Sequence, residues 1–99
     1  MDKKETLIEF IFDNMLRNHL ELEKIIYEAY GMYNEINDDR IKYIIERNIV
    51  VGRNQIFMML ELLTHTKEDI VRENFEKSLN SKLADLKEIE GKLKKTANK

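Results

Sequence analysis

Residues 6–40 read TLIEFIFDNMLRNHLELEKIIYEAYGMYNEINDDR, and this stretch decides the fold. From Thr6 onward Ile8, Ile11, Met15, Leu22, Ile25, Ala29, Met32 and Ile36 recur at steps built from threes and fours, interrupted once by Asn18. Such spacing keeps side chains on one stripe of an α-helix, so the run predicts a single long amphipathic helix over about 6–36. Thr6 and Glu9 have the spacing of a capping box, in which a hydroxyl and a carboxylate satisfy the free amides of a helix start; Asp2 and Glu5 offer a competing earlier start. Asn37, Asp38 and Asp39 mark the exit, because their short polar side chains bond nearby backbone and favour turns and N-caps.

Working outward, the next segment predicts a helix over about 39–63. Ile45, Ile49, Gly52, Ile56, Met59 and Leu63 share one face, with Tyr43, Val50 and Phe57 nearly opposite. A helix apolar on two sides calls for two partners, so it is placed centrally, covered by the first helix and by the third helix or another subunit. Thr64, His65 and Thr66 interrupt, and Thr66 with Asp69 has cap spacing. A third helix is expected over about 67–94, with Val71, Phe75, Leu79, Leu83, Leu86, Ile89 and Leu93 on a narrower stripe between charges. Pairs such as Glu73 and Lys77, Glu88 and Lys92, and Glu90 and Lys94 have the acid-first spacing that supports a helix. Gly91 predicts a frayed end over about 95–99.

The composition agrees. The 99 residues hold no proline and three glycines, the breakers that strands and tight turns need and long helices exclude. The fold expected is all-α: one domain over 1–99, three long antiparallel helices in an up-down-up bundle, with leftover apolar surface able to dimerise it into a larger helical bundle. A register check supports the first hairpin. If its turn centres near Asn37 and Asp38, facing residue numbers sum to about 75, which sets Glu35 by Arg40, Glu28 by Arg47, Glu21 by Arg53, and Leu22 against Gly52 for a close approach.

The counts also exclude. A formal net charge of −2 provides no whole-molecule positive field for nucleic acid or anionic lipid. The absence of cysteine removes thiolate nucleophiles, disulfides, iron–sulfur clusters and Cys-based zinc sites. Acids interrupt the apolar stretch near Met1, and no run suits a membrane span, so a cytoplasmic, non-enzymatic protein without cofactor or metal is the expectation.

The functional expectation is a regulator, inhibitor, adaptor or chaperone type of helical protein that binds another protein, with self-association as a homodimer one form of this. The candidate partner-binding residues are Phe10, Phe12, Tyr27, Tyr30, Tyr33, Tyr43, Phe57 and Met58, since the first two helices carry more apolar surface than one neighbour covers. Two alternatives have residues of their own. His19, the carboxylate of Glu23 one turn on, and Glu46 from the second helix would hold a cation in a metal-binding bundle, although the repeated Glu-x-x-His pairs of helical carboxylate proteins are missing. The lysines of the third helix, Lys77, Lys82, Lys87, Lys92, Lys94 and Lys95, would bind nucleic acid weakly, but they alternate with acids. The residue three before His65 is Leu62, and that before His19 is Leu16, so neither histidine has the Glu-x-x-His spacing. Asn18, Asn48 and Gln55 lie at or beside apolar stripes, where a buried amide fixes helix register or subunit number.

Overall fold

The structure, a computed structural model, describes residues 3–65 and 69–97, with the backbone alone at positions 5, 69–71, 96 and 97. It consists of three helices in chain order: α1 over Lys3–Ile36, α2 over Asp39–Leu63 and α3 over Asp69–Ala97. Helix α2 packs against both α1 and α3, giving the antiparallel three-helix bundle that the periodicity predicts. The bundle is a rod, 54 × 18 × 15 Å, with a radius of gyration of 15.9 Å. A spherical domain of this length would have a radius of gyration near 13 Å. The elongation follows from α1, whose 34 residues reach about 51 Å at 1.5 Å per residue.

The α1–α2 turn takes two residues. Asn37 adopts φ 55, and its N–H donates to Tyr33 O at 2.8 Å, closing α1 with a left-handed C-cap. Asp38 is extended, at φ −88 and ψ 128, and its Oδ1 accepts from Arg40 N at 2.7 Å as the N-cap of α2. At the far end of α2, the N–H groups of Thr64 and His65 donate to Glu61 O and Leu62 O, and the Thr64 hydroxyl donates to Glu61 O at 2.7 Å. The Thr66 and Asp69 cap lies outside the described residues.

Two helix ends differ from the sequence expectation. Thr6 stands inside α1, so the helix starts before the Thr6 and Glu9 box and nearer the Asp2 alternative, itself outside the described residues. Helix α3 continues through Gly91 to Ala97 rather than fraying at about 95, because Leu93, fully buried, anchors the last turns to the core.

The larger correction concerns α1. Its buried row is Phe12, His19, Ile26 and Tyr33, at intervals of seven, with Met15, Leu22 and Ala29 packed beside it. Ile11, Ile25, Met32 and Ile36, expected in the seam, are exposed. The two rows lie one residue apart and both repeat every seven, so periodicity admits either; the side of each row decides. Beyond Ile11, Asn18, Ile25 and Met32 comes the acidic row Glu21, Glu28 and Glu35, which holds that edge in water, whereas Phe12 has an aromatic partner in Phe75 of α3, centroids 4.8 Å apart and edge-on. In α2 the expected face, Ile45, Ile49, Gly52, Ile56, Met59 and Leu63, is the buried one. In α3, Leu79, Leu83, Leu86, Ile89 and Leu93 are buried and Phe75 packs against them; the Val71 side chain lies outside the described residues.

The hairpin register holds while the expected charge pairs do not form. A Cβ on Gly52 would stand 3.7 Å from Leu22 Cδ2, and His19 Nδ1 lies 2.9 Å from Gln55 Oε1, so facing numbers sum to about 74. Arg40 instead pairs with Asp38, Arg53 with Glu90 of α3 at 3.4 Å, and Arg47 lies 5.9 Å over the Tyr43 ring. At 100° per residue Glu28 sits about 120° round α1 from Leu22, and Arg47 about 140° round α2 from Gly52, so both point away from the shared seam.

Candidate protein-binding surface

The bundle buries its core on one side of each helix and leaves large apolar side chains on the other. Helix α1 presents Leu7, Ile11, Ile25, Met32 and Ile36 in a row beside the α1–α2 seam, with Asn18 in the same row. Helix α2 presents Ile44, Val51 and Met58 at intervals of seven on the same side as Gln55, which faces α1. With facing numbers summing to about 75, Ile44 stands level with Met32, Val51 with Ile25 and Met58 with Asn18. The two rows therefore border one long groove floored by Met15, Leu22, Ala29, Ile41 and Leu62, which are partly buried. A second α2 row, Tyr43, Val50 and Phe57, lies on the opposite flank, toward the side where Arg53 reaches α3.

The eight candidate binding residues divide. Phe12 and Tyr33 are core residues, 5% and 3% exposed, and Tyr30 packs partly buried against the core. They were expected outside because the seam was placed one residue early. Phe10, Tyr27, Tyr43, Phe57 and Met58 are exposed, Phe10 and Tyr43 by more than 60%. Tyr27 faces the α3 side, where partial burial, and after it the carboxylates of Asp85, Glu23 and Glu88, push the phenol pKa up from its ordinary value. The exposed aliphatic residues Leu7, Ile11, Ile25, Ile44 and Val51 do more to define the groove than the aromatics do; the periodicity assigns Ile11 and Ile25 to the seam and gives no signal for the other three.

A polar layer crosses the middle of the core. His19, fully buried, approaches Gln55 through Nδ1 and Glu23 Oε2 through Nε2 at 3.0 Å. That second contact is close but off the line of a well-aligned hydrogen bond, so Nε2 has proximity to the carboxylate without a directed partner. Lys82 of α3 donates to both Glu23 oxygens, at 3.1 and 3.2 Å, so the chain of contacts Gln55, His19, Glu23 and Lys82 links all three helices. Gly52 makes the room: its missing side chain leaves space taken by Leu86 Cδ1 and His19 Cε1, 3.1 and 3.7 Å from where a Cβ would be.

These contacts brace the three helices internally. Glu46 contacts Lys42 at 3.7 Å and does not join His19 and Glu23, and among the described residues no group of three or more metal-ligating side chains converges. His65 is exposed in the turn after α2. Of the α3 lysines, Lys82 is engaged with Glu23, and Lys92 and Lys94 with Glu88 and Glu90. The Glu73 and Lys77 pair is replaced by Arg72 with Glu76, 3.8 Å apart. Asn18 is exposed in the groove row, and Asn48 donates to Ile44 O within its own helix. Among the described residues no helix is long and apolar enough to cross a membrane.

These features define a three-helix bundle with an uncovered apolar groove. No family model, curated protein or solved structure matches the chain.

Proposed function

We propose that this is a non-enzymatic interaction protein, whose role is to hold other protein surfaces against its exposed helix faces. The observation that carries the reading is the size of the apolar surface left outside. Among the described residues fourteen large hydrophobic side chains are exposed, eight of them bordering one groove, and a contiguous apolar patch of that kind marks a contact site. Their arrangement supports it too, since rows at intervals of seven are the form in which a helix accepts another helix. A regulator, adaptor, inhibitor or chaperone type of action fits such faces equally.

The test is a comparison of captured partners. Immobilised wild-type protein is set beside Phe57→Glu and Tyr43→Glu, both at exposed positions and so expected to keep their helix content, with bound proteins quantified against a lysate of the native host. A partner retained by the wild type and released by either substitution supports the reading. Indistinguishable sets from all three chains, with the Ile25→Glu chain giving the same set again, contradict it.

A further inference from the structure

The groove between α1 and α2 is long, open and bordered by charge of opposite sign on its two edges. Its α1 edge carries Glu21, Glu28 and Glu35, none of which makes an ion pair among the described residues. Its α2 edge carries Arg40, Arg47, Asn54 and Glu61, seven residues or about two turns apart in succession. In the observed register Glu35 stands level with Arg40, Glu28 with Arg47 and Glu21 with Asn54, while Asn14 stands level with Glu61. Each level thus places a base or amide across the groove from an acid, too far round the helices to meet within one chain.

We propose that a second copy of this chain covers the groove with its own, about a twofold axis parallel to the helices. The axis exchanges the edges while keeping the levels, so Glu28 meets the partner's Arg47 and Glu35 meets the partner's Arg40. It also sets α1 against the partner's α2, antiparallel, so that four helices form an alternating bundle with both α3 helices outside. An axis crossing the helices would set α1 on α1 and bring the acidic rows together, and like charges oppose that.

The area agrees. Eight large apolar side chains bordering the groove are each about half exposed and offer on the order of 800 Å², the share one partner contributes to an interface of standard size. Asn18 fits the same symmetry. The two α1 helices are parallel and diagonally opposed about the axis, so Asn18 of each chain lies at one height in an otherwise apolar row, where paired amides select register and subunit number.

This assignment deepens the protein-binding reading and rests on it. It is tested by sedimentation equilibrium across micromolar concentrations. Wild type is expected at twice the 11.9 kDa chain mass. Ile25→Glu and Val51→Glu each bury a charge twice and are expected to weaken association by at least about a hundredfold with the helical circular dichroism unchanged, whereas Leu20→Glu, on the α3 side of α1, leaves it intact. Glu28→Arg alone weakens the dimer, and Glu28→Arg with Arg47→Glu restores it. A wild type that stays at 11.9 kDa throughout overturns the proposal, as does a dimer indifferent to Ile25→Glu and Val51→Glu. If such a monomer still releases a captured partner on Phe57→Glu, the protein-binding reading survives without the second copy.

Discussion

Asn37 is the residue on which the hairpin turns. Its backbone occupies the left-handed region, where a β-branched side chain crowds the following carbonyl at a cost of about 1–2 kcal/mol. Asn37→Val is therefore expected to lower stability by about that amount in a urea melt, while Asn37→Gly is tolerated. Next to it, the guanidinium of Arg40, and after it the Arg40 amide, hold the Asp38 carboxyl below its ordinary pKa of 3.8. A carboxyl whose folded-state pKa is depressed adds stability above its unfolded value and loses that contribution as the pH falls through its folded value. Wild type is expected to lose part of its thermal stability below about pH 4, and Asp38→Asn, which caps a helix without titrating, to remove that share of the acid dependence. At His19 the issue is a buried donor. Gln55→Leu strands the ring Nδ1 and is expected to cost about 1–3 kcal/mol; adding His19→Leu recovers much of the loss, since two apolar groups need no partner. A double-mutant cycle by chemical denaturation measures the coupling directly.

At the scale of the helix, glycine separates packing from propensity. Gly31 and Gly91 have open space where a Cβ would go, so Gly31→Ala and Gly91→Ala should each raise stability by about 0.5–1 kcal/mol. Gly52 meets Leu86 Cδ1 at 3.1 Å, and Leu86 is fully buried, so Gly52→Leu forces α2 away from its neighbours and is expected to cost at least about 1–3 kcal/mol. Thermal melts of the three variants decide the matter by sign alone. The same contrast shows what was legible in the sequence. The α2 face could be read correctly because Ile45, Ile49, Gly52, Ile56, Met59 and Leu63 recur at every third or fourth position, twice as densely as the rival row Tyr43, Val50 and Phe57, and the close approach of Leu22 to Gly52 followed from the register. The α1 seam could not be placed by period, because Ile11, Ile25 and Met32 repeat every seven residues just as Phe12, Ile26 and Tyr33 do. The distinguishing signal was the acidic row Glu21, Glu28 and Glu35 beside the wrong candidate. His19 at the core was illegible for a different reason: its partner Gln55 comes from α2, 36 residues on, and Glu23 beside it is fixed by Lys82 of α3, 59 residues on, separations that no local pattern reports.

Taken whole, the molecule is a rod with a polar brace at mid-length and an apolar groove along one side. The brace and the groove belong to different jobs. Glu23, held by Lys82 and His19, ties α1 to α3, and the Phe12 and Phe75 contact does so nearer one end, both away from the groove. The acids beside the groove, Glu21, Glu28 and Glu35, by contrast, make no ion pair among the described residues, and Arg40 and Arg47 on the other edge reach only residues of their own segment, Asp38 and Tyr43. That division accounts for two of the three opposite-charge pairs expected in the hairpin: Glu35 with Arg40 and Glu28 with Arg47 stand across the groove, where they suit a facing copy, whereas Arg53 turns to Glu90 of α3.

The most direct measurement of this central claim uses the absence of native cysteine. A nitroxide at Asn34→Cys, exposed near the α1–α2 turn, labels each chain once, and pulsed dipolar spectroscopy reads the separation between copies. With the twofold axis along the helices, both turns lie at the same end, and the distance falls well short of the 54 Å length of the rod. A separation approaching that length, or no dipolar coupling at any concentration, would contradict the account.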